Sequence, residues 1–332
     1  MKNVIWALAL PFLAAAAHKA EATQRFVPQQ YATIQAAINA SSPSDTVLVA
    51  PGQYFENLNF RGKNIVVGSR FITTQNRAFV KNTIINGSQP QYPDTASVAL
   101  FVNGEDSTAV LAGFTLTGGK GTKWLDPHTS LVYREGGAIL CQSSSPVIRD
   151  NYIYQNEAIN TTNAESAGGG AIRADGGNVR ILHNVISRNK GGYGTAIVLN
   201  FAGGIVRNNI ICLNSGGTFF SGGSIWMHGV SAVPKLIENN TITGNMATAG
   251  TGGIVVMATD AIVRNNIIRG NGSSGQLQMV LPLNGTVSAS YNLIEYGFAG
   301  TGNVDTAPEF ADSAGLLLPA SVAIDAGDPV TE

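Results

Sequence analysis

Apolar residues in this chain recur in short alternating bursts. Five segments, AILCQ, AIRAD, AIVLN, SIWMH and GIVVM, share one pattern. Their second and fourth positions are all apolar: Ile139 and Cys141, Ile172 and Ala174, Ile197 and Leu199, Ile225 and Met227, Ile254 and Val256. A period of two marks a strand with one buried face. Each burst is followed by two more, of the kind seen in VIRD and YIYQ, bounded by turn residues. No repeat holds ten residues of helical period, so helical repeats are excluded.

Asn punctuates the bursts. It recurs as Asn151, Asn184, Asn209, Asn240, Asn266 and Asn292, and the first five are each followed five residues on by Asn156, Asn189, Asn214, Asn245 and Asn271. Self-similarity at such a period dictates a repeat architecture. Three short strands per repeat predict an all-β fold, a parallel β-solenoid. It should have roughly eight coils, about 40 Å long at ~4.8 Å per coil. The Asn residues are read as structural, each taking the left-handed conformation at a corner and stacking its amide on the next coil's. Residues 31–40 place Tyr31, Ile34, Ala37 and Ile38 on one helical face. That is an amphipathic cap for the open N-terminal end, where strand edges need cover.

Three stretches carry a family resemblance. They are YATIQAAINASSPSDTVLVAPGQYFENL (Tyr31–Leu58), the GGAI…SSPVIRDNYIYQN coils, and SVAIDAGDP (Ser321–Pro329). In these the chain resembles the right-handed parallel β-helix proteins of the pectate-lyase-like superfamily, secreted bacterial type. The resemblance implies a capping helix, a single β-helix domain over 23–332 with an end segment at 305–332, and a polysaccharide cleft on the outer face of the strands that follow the Gly pairs. It does not carry over an activity. The paired Asp of polygalacturonases, the Asp-Phe-Ile-Phe-Gly of pectin methylesterases and the Arg-x-Pro-x-x-Arg of pectate lyases are all missing.

Composition narrows the function classes. Gly is 39 of 332 residues and charged residues are 12%, about half the usual quarter. That suits turns rather than solvated helices. A net charge of −1 gives no field for nucleic acid. Residues 1–22 read as a signal peptide, with Lys2, the apolar Val4–Ala17 and an Ala20-Glu21-Ala22 cleavage site. The apolar stretch is shorter than the ~20 residues a span needs. A secreted, extracellular or cell-surface monomer without a membrane span is expected.

The outward positions of the five segments form two columns: Leu140, Arg173, Val198, Trp226, Val255 and Gln142, Asp175, Asn200, His228, Met257. The upstream ALFVN is read to add Phe101 and Asn103. Arg173, Asp175, Asn200, Trp226 and His228 fall within three coils, a span of roughly 10 Å. Long segments, Gly118–Glu135, Glu157–Ala167 and Ser215–Ser221, lead into the same strands and should wall a groove. The first brings Lys120, Lys123, Trp124, His128, Tyr133 and Arg134. The candidate catalytic residues are His228 as base, Arg173 and Asp175. Trp226, Asn200, Trp124 and Lys190 are the candidate substrate contacts. A polysaccharide lyase needs a base at the uronate C5 proton and a group to neutralise the carboxylate. Hydrolysis needs a second carboxyl group, for which Glu135, Glu157 and Glu165 are the loop candidates. A non-catalytic, adhesive surface β-helix is the alternative. No cofactor or metal is expected, because Ca²⁺ would need a second carboxylate beside Asp175 and the strands supply none. The outward Arg149, Arg207 and Arg264, separated by Leu182 and Glu238, read as a solubility face.

Two Cys in an exported chain invite a disulfide. The register instead places Cys141 inward and Cys212 outward, two coils apart, about 9.6 Å along the axis, where a bridge needs Cα atoms within about 7 Å. Titration of the denatured protein is therefore expected to find both as free thiols. Finding none would refute the register.

Overall fold

The computed structural model describes residues 22–159, 167–218, 220–273, 275–312, 316–324 and 326–328. Of the expected signal peptide only Ala22 is among them, and Glu165 lies outside them.

Alternation at period two builds three parallel sheets. A ten-stranded sheet runs from Gln24–Val27 to Thr286–Ser290, a nine-stranded sheet from Gly52–Tyr54 to Leu293–Ile294, and an eight-stranded sheet from Leu58–Asn59 to Met279–Val280. Each strand pairs with its equivalent one coil away, as in Ile139–Ile172–Ile197–Ile225–Ile254. The fold is a parallel β-helix with three strands per coil. The inward residues form one apolar core from Val27 to Ile294.

One register expectation fails by a single residue. Phe101 pairs with Cys141, so it points inward, fully buried against Phe60 with ring centroids 4.1 Å apart. Ala99 stands opposite Ile139 rather than Ala138, and a one-residue slip exchanges the faces.

The N-terminal cap is a helix over Ile34–Ala40, shorter than residues 31–40, with Ile34, Ala37 and Ile38 buried. Thr33 stops it from starting earlier: its hydroxyl accepts from Ala36 N at 3.1 Å, an N-cap. The Glu56 carboxylate takes the next free amides, Ile34 N and Gln35 N. Tyr31 precedes the helix and packs on the core from outside it. The Gln35 side chain donates to Asn59 O and accepts from Asn59 N. It thus pairs with the edge strand as a further strand would.

The corner between the ten- and nine-stranded sheets carries an Asn ladder. Asn151, Asn184, Asn209, Asn240 and Asn266 each donate Nδ2 to the Oδ1 of the next Asn, at 2.9–3.1 Å, and Asn292 donates to Asn303. A second ladder runs through Asn156, Asn189, Asn214, Asn245 and Asn271 and ends on Gln278. The same Oδ1 also accepts the previous Asn's backbone N–H, as Asn209 Oδ1 does from Asn184 N. These amides point inward, 0–2% exposed, with their donors and acceptors satisfied. The expectation that they are left-handed needs correction. The left-handed residue is the one before each: Asp150, His183, Asn208, Asn239, Asn265 and Tyr291 in the first ladder. The turn is made there, and that leaves the ladder Asn aimed at the core.

On the outside of the ten-stranded sheet, Arg149, Leu182, Arg207, Glu238 and Arg264 are neighbours in register. Glu238 bridges Arg207 and Arg264, so this face is internally paired. Both Cys are free. Cys212 alternates outward as expected yet is 2% exposed, and burial pushes both thiols up.

Adjacent Asn208 and Asn209 allow a paired test. Asn209→Ala removes the acceptor of Asn184 N and Nδ2 and should cost on the order of 2–3 kcal/mol in chemical denaturation. Asn208→Gly suits a φ of 57° and should be neutral within roughly 0.5 kcal/mol. Equal effects at the two positions would refute the division of roles.

Candidate functional site

The 118–135 segment does more than wall a groove. It forms an antiparallel hairpin, Gly121–Leu125 with Val132–Glu135, that also pairs with Thr95–Ala96. Strand alternation puts Trp124, Tyr133 and Glu135 on the face opposite Leu125 and Val132. The hairpin face bearing Trp124 and Glu135 lies over the eight-stranded sheet, and its tip turns through Asp126, whose Oδ1 accepts from His128 N at 2.7 Å.

This cover changes the outward columns. Val198, Trp226, Val255 and Met257 pack with Tyr193 into a second apolar cluster, and Leu140 packs with Leu100 and Trp124 into a third. Arg173 and Asp175 are 1% and 2% exposed. They form no plain surface pair. Arg173 NH1 donates to Tyr193 Oη at 2.8 Å and NH2 to Asp175 Oδ2 at 2.9 Å. Its Nε lies 2.9 Å from Glu135 Oε2, without the N–H aligned on it. Tyr193 donates its hydroxyl to Glu135 Oε1 and Trp124 donates Nε1 to Oε2. Gly168 seats the Tyr193 ring, since a Cβ there would come within 2.5 Å of it. Burial pushes the Glu135 carboxyl up, only partly offset by Arg173 and the Tyr193 and Trp124 hydrogen bonds. For Arg173, burial opposes the charge, but Glu135, Tyr193 and Asp175 outweigh it and hold the guanidinium protonated.

Asp175 is the node of the polar site. Its Oδ2 accepts from Asn200 Nδ2 at 2.6 Å as well as from Arg173, and its Oδ1 lies 3.2 Å from His128 Nε2. Asn200 Oδ1 lies 2.9 Å from His228 Nδ1. A carboxylate only accepts, so Asn200 must turn its NH₂ to Asp175 and its oxygen to His228. The His228 proton is thereby fixed on Nδ1, leaving the Nε2 lone pair free. Burial, with the charges of Lys235, Arg173 and His128, lowers the His228 pKa. Both imidazoles contact Phe201: His128 stacks on it at 3.7 Å and His228 meets it edge-on at 5.1 Å. Gly229 makes room, because a Cβ there would come within 2.5 Å of the Phe201 ring.

These groups line a cavity of about 410 Å³, within the range of small-ligand sites. Asp126, His128, Arg173, Tyr193, Asn200 and His228 supply its polar wall, and Phe201, Phe220, Trp226 and Leu283 its apolar one.

No protein-family model matches this chain, and no curated protein does.

The sequence-derived candidates therefore divide. Arg173, Asp175, Asn200 and His228 converge on one network. Trp226 lines the cavity but is 5% exposed, donating Nε1 to Phe220 O at 3.1 Å; the 54% exposed ring is Phe220. Trp124 is buried over Glu135 and Arg173 and does not line the cavity. Lys190 is exposed in a separate three-stranded sheet beside Glu157 and Ser215, and is not brought to the site. The second carboxylate thought missing is Asp126. Ligand atoms of Asp126, His128 and Asp175 lie within 4.8 Å of one another. They fit a divalent cation poorly, because both Asp175 oxygens already serve Arg173, Asn200 and His128.

Arg173→Met would leave Glu135 and Asp175 buried without their counter-charge. Chemical denaturation should show a loss of about 3–5 kcal/mol, where an exposed ion pair is worth under about 1 kcal/mol. A loss in the exposed range would rule out the buried network.

Proposed function

We propose that the chain is an exported polysaccharide-directed β-helix protein whose cavity performs acid–base chemistry on a uronate glycan, as a lyase of the pectate-lyase-like kind. One observation carries the reading: His228 Nδ1 is committed to Asn200 Oδ1, Asn200 is oriented by Asp175, and His228 lines a cavity with aromatic walls. A neutral imidazole held in one tautomer is a general base at neutral pH. It would take the sugar C5 proton. The leaving oxygen would take its proton from solvent, because the His128 Nε2 proton is held by Asp175 and the Tyr193 hydroxyl proton by Glu135. Phe220, with its ring exposed at the cavity wall, supplies a surface on which a sugar ring stacks.

A second reading is favoured by Arg173. Its guanidinium is buried with its charge already balanced by Glu135 and Asp175, which leaves it little capacity to neutralise a substrate carboxylate. That supports a binding surface without turnover.

Incubation with polygalacturonate and alginate separates the two, following the absorbance of unsaturated ends beside a reducing-end assay. Turnover is expected, and His228→Ala should lower it roughly 10²–10⁴-fold while binding is kept. The acid limb of the rate profile follows from the lowered His228 pKa. The base is active while unprotonated, so the rate should hold at neutral pH and fall only below the ordinary imidazole value of about 6.5. Binding without new ends supports the second reading. A His228→Ala variant as active as the wild type refutes the assigned base.

A further inference from the structure

A second recess lies on a different face. Where the chain passes from the ten- to the nine-stranded sheet, most coils turn on one left-handed residue and one Asn. In one early coil the same corner instead holds two short helices, Phe71–Thr74 and Ala78–Asn82, between the strands Val66–Ser69 and Thr83–Asn86. Val80 O accepts from Thr115 Oγ1 at 2.9 Å, which ties the insertion down on the coil below. The overhang and the outer face of later coils enclose a cavity of about 340 Å³ lined by Arg77, Val80, Lys81, Asp150, Tyr152 and Val185.

Its chemistry is specific. Arg77 and Lys81 are exposed, and among the described residues neither has an ion-pair partner. The Arg77 guanidinium is held 5.7 Å over the Phe71 ring. Asp150 is already paired with Arg149 at 2.7 Å, so the recess is left cationic. Tyr152 is half-buried and stacks on Tyr154, ring centroids 4.7 Å apart and 5° from parallel. Their alternation on one strand stands them both on the outer face. A flat ring beside two free cations suits a sugar bearing an anionic group: the ring takes the apolar face of the pyranose and the cations take the carboxylate or sulfate. The recess is concave and of one- or two-ring size, which disfavours a flat lipid surface.

We propose that this recess is a second, non-catalytic subsite for an acidic saccharide, held by Arg77, Lys81 and Tyr152. It rests on the glycan reading for its ligand, not on the chemistry of the first cavity. Two sites on one rigid scaffold raise affinity for a long chain that reaches both.

The test is calorimetric titration of the His228→Ala protein with a tri-galacturonate and with its methyl-esterified, neutral form. Two molecules of the acidic trisaccharide per chain are expected. One should be lost in Arg77→Gln/Lys81→Gln and weakened about tenfold in Tyr152→Ala, and the neutral ester should miss this site. All three positions are at the surface or half-buried, and an unchanged unfolding midpoint checks the fold. If the stoichiometry of the His228→Ala protein is one and the Arg77, Lys81 and Tyr152 substitutions leave it binding as before, the subsite is refuted while the first cavity stands. If only the binding that depends on Arg77 and Lys81 is seen, the subsite stands and the first cavity's reading falls. Equal binding to anionic vesicles lacking sugar would overturn the saccharide assignment.

Discussion

A β-helix must turn its backbone inside its own core, and the rest of this structure depends on how the corner amides are satisfied. A buried N–H without a partner costs about 1–3 kcal/mol, and the corner recurs once per coil. Here an inward Asn accepts the backbone N–H of the preceding ladder residue and returns its own NH₂ to carbonyls and to the next Asn. The solution works only if successive corners are in register at the coil spacing. Extra chain can therefore be accommodated only outside the coil. This is why the hairpin over 121–135 and the helices over 71–82 project from corners, and why both cavities lie beneath such projections.

The projection over the eight-stranded sheet gives outward residues a second interior. Strand alternation sorts core from outside, but outside is not the same as solvent. Val198, Trp226 and Val255 are outward and buried. Arg173 follows the same rule at greater cost: an isolated buried charge is worth several kcal/mol of penalty, offset here by Glu135 and Asp175. The engaged guanidinium then acts as a strut that fixes Asp175, and Asp175 in turn orients His128 and Asn200.

The sequence therefore discloses coil, register and inward set with little loss, because a period of two and a repeated Asn are local signals. Asp175, Asn200 and His228 could be grouped in advance because they are register neighbours. Asp126, Tyr193, Phe201 and Phe220 could not, since they arrive from turns whose path depends on packing. The closest available signal was Asp126 two residues before His128, the spacing at which a turn carboxylate caps a backbone N–H. The left-handed position was misplaced for a related reason. Asn occupies both the turn and the ladder position in Asn208-Asn209, Asn239-Asn240 and Asn265-Asn266, and only geometry separates the two roles. Phe101 falls inward because the first Ala of its segment, Ala99, is in register with Ile139 and not with Ala138, which only the pairing reveals.

The site uses the device that builds the scaffold, run in the opposite direction. In both ladders an amide donates its NH₂ toward the next coil, and any amide can follow any other. Asn200 also bridges one coil to the next, but its NH₂ goes back to Asp175 and its oxygen goes forward to His228. A carboxylate at one end removes the ambiguity of an amide's orientation, because Asp175 can only accept. The imidazole at the other end must then donate. A ladder of identical amides has no such end and confers only stability. Terminating a short one between a fixed acceptor and a titratable ring converts the same hydrogen-bond geometry into control over which nitrogen carries the proton.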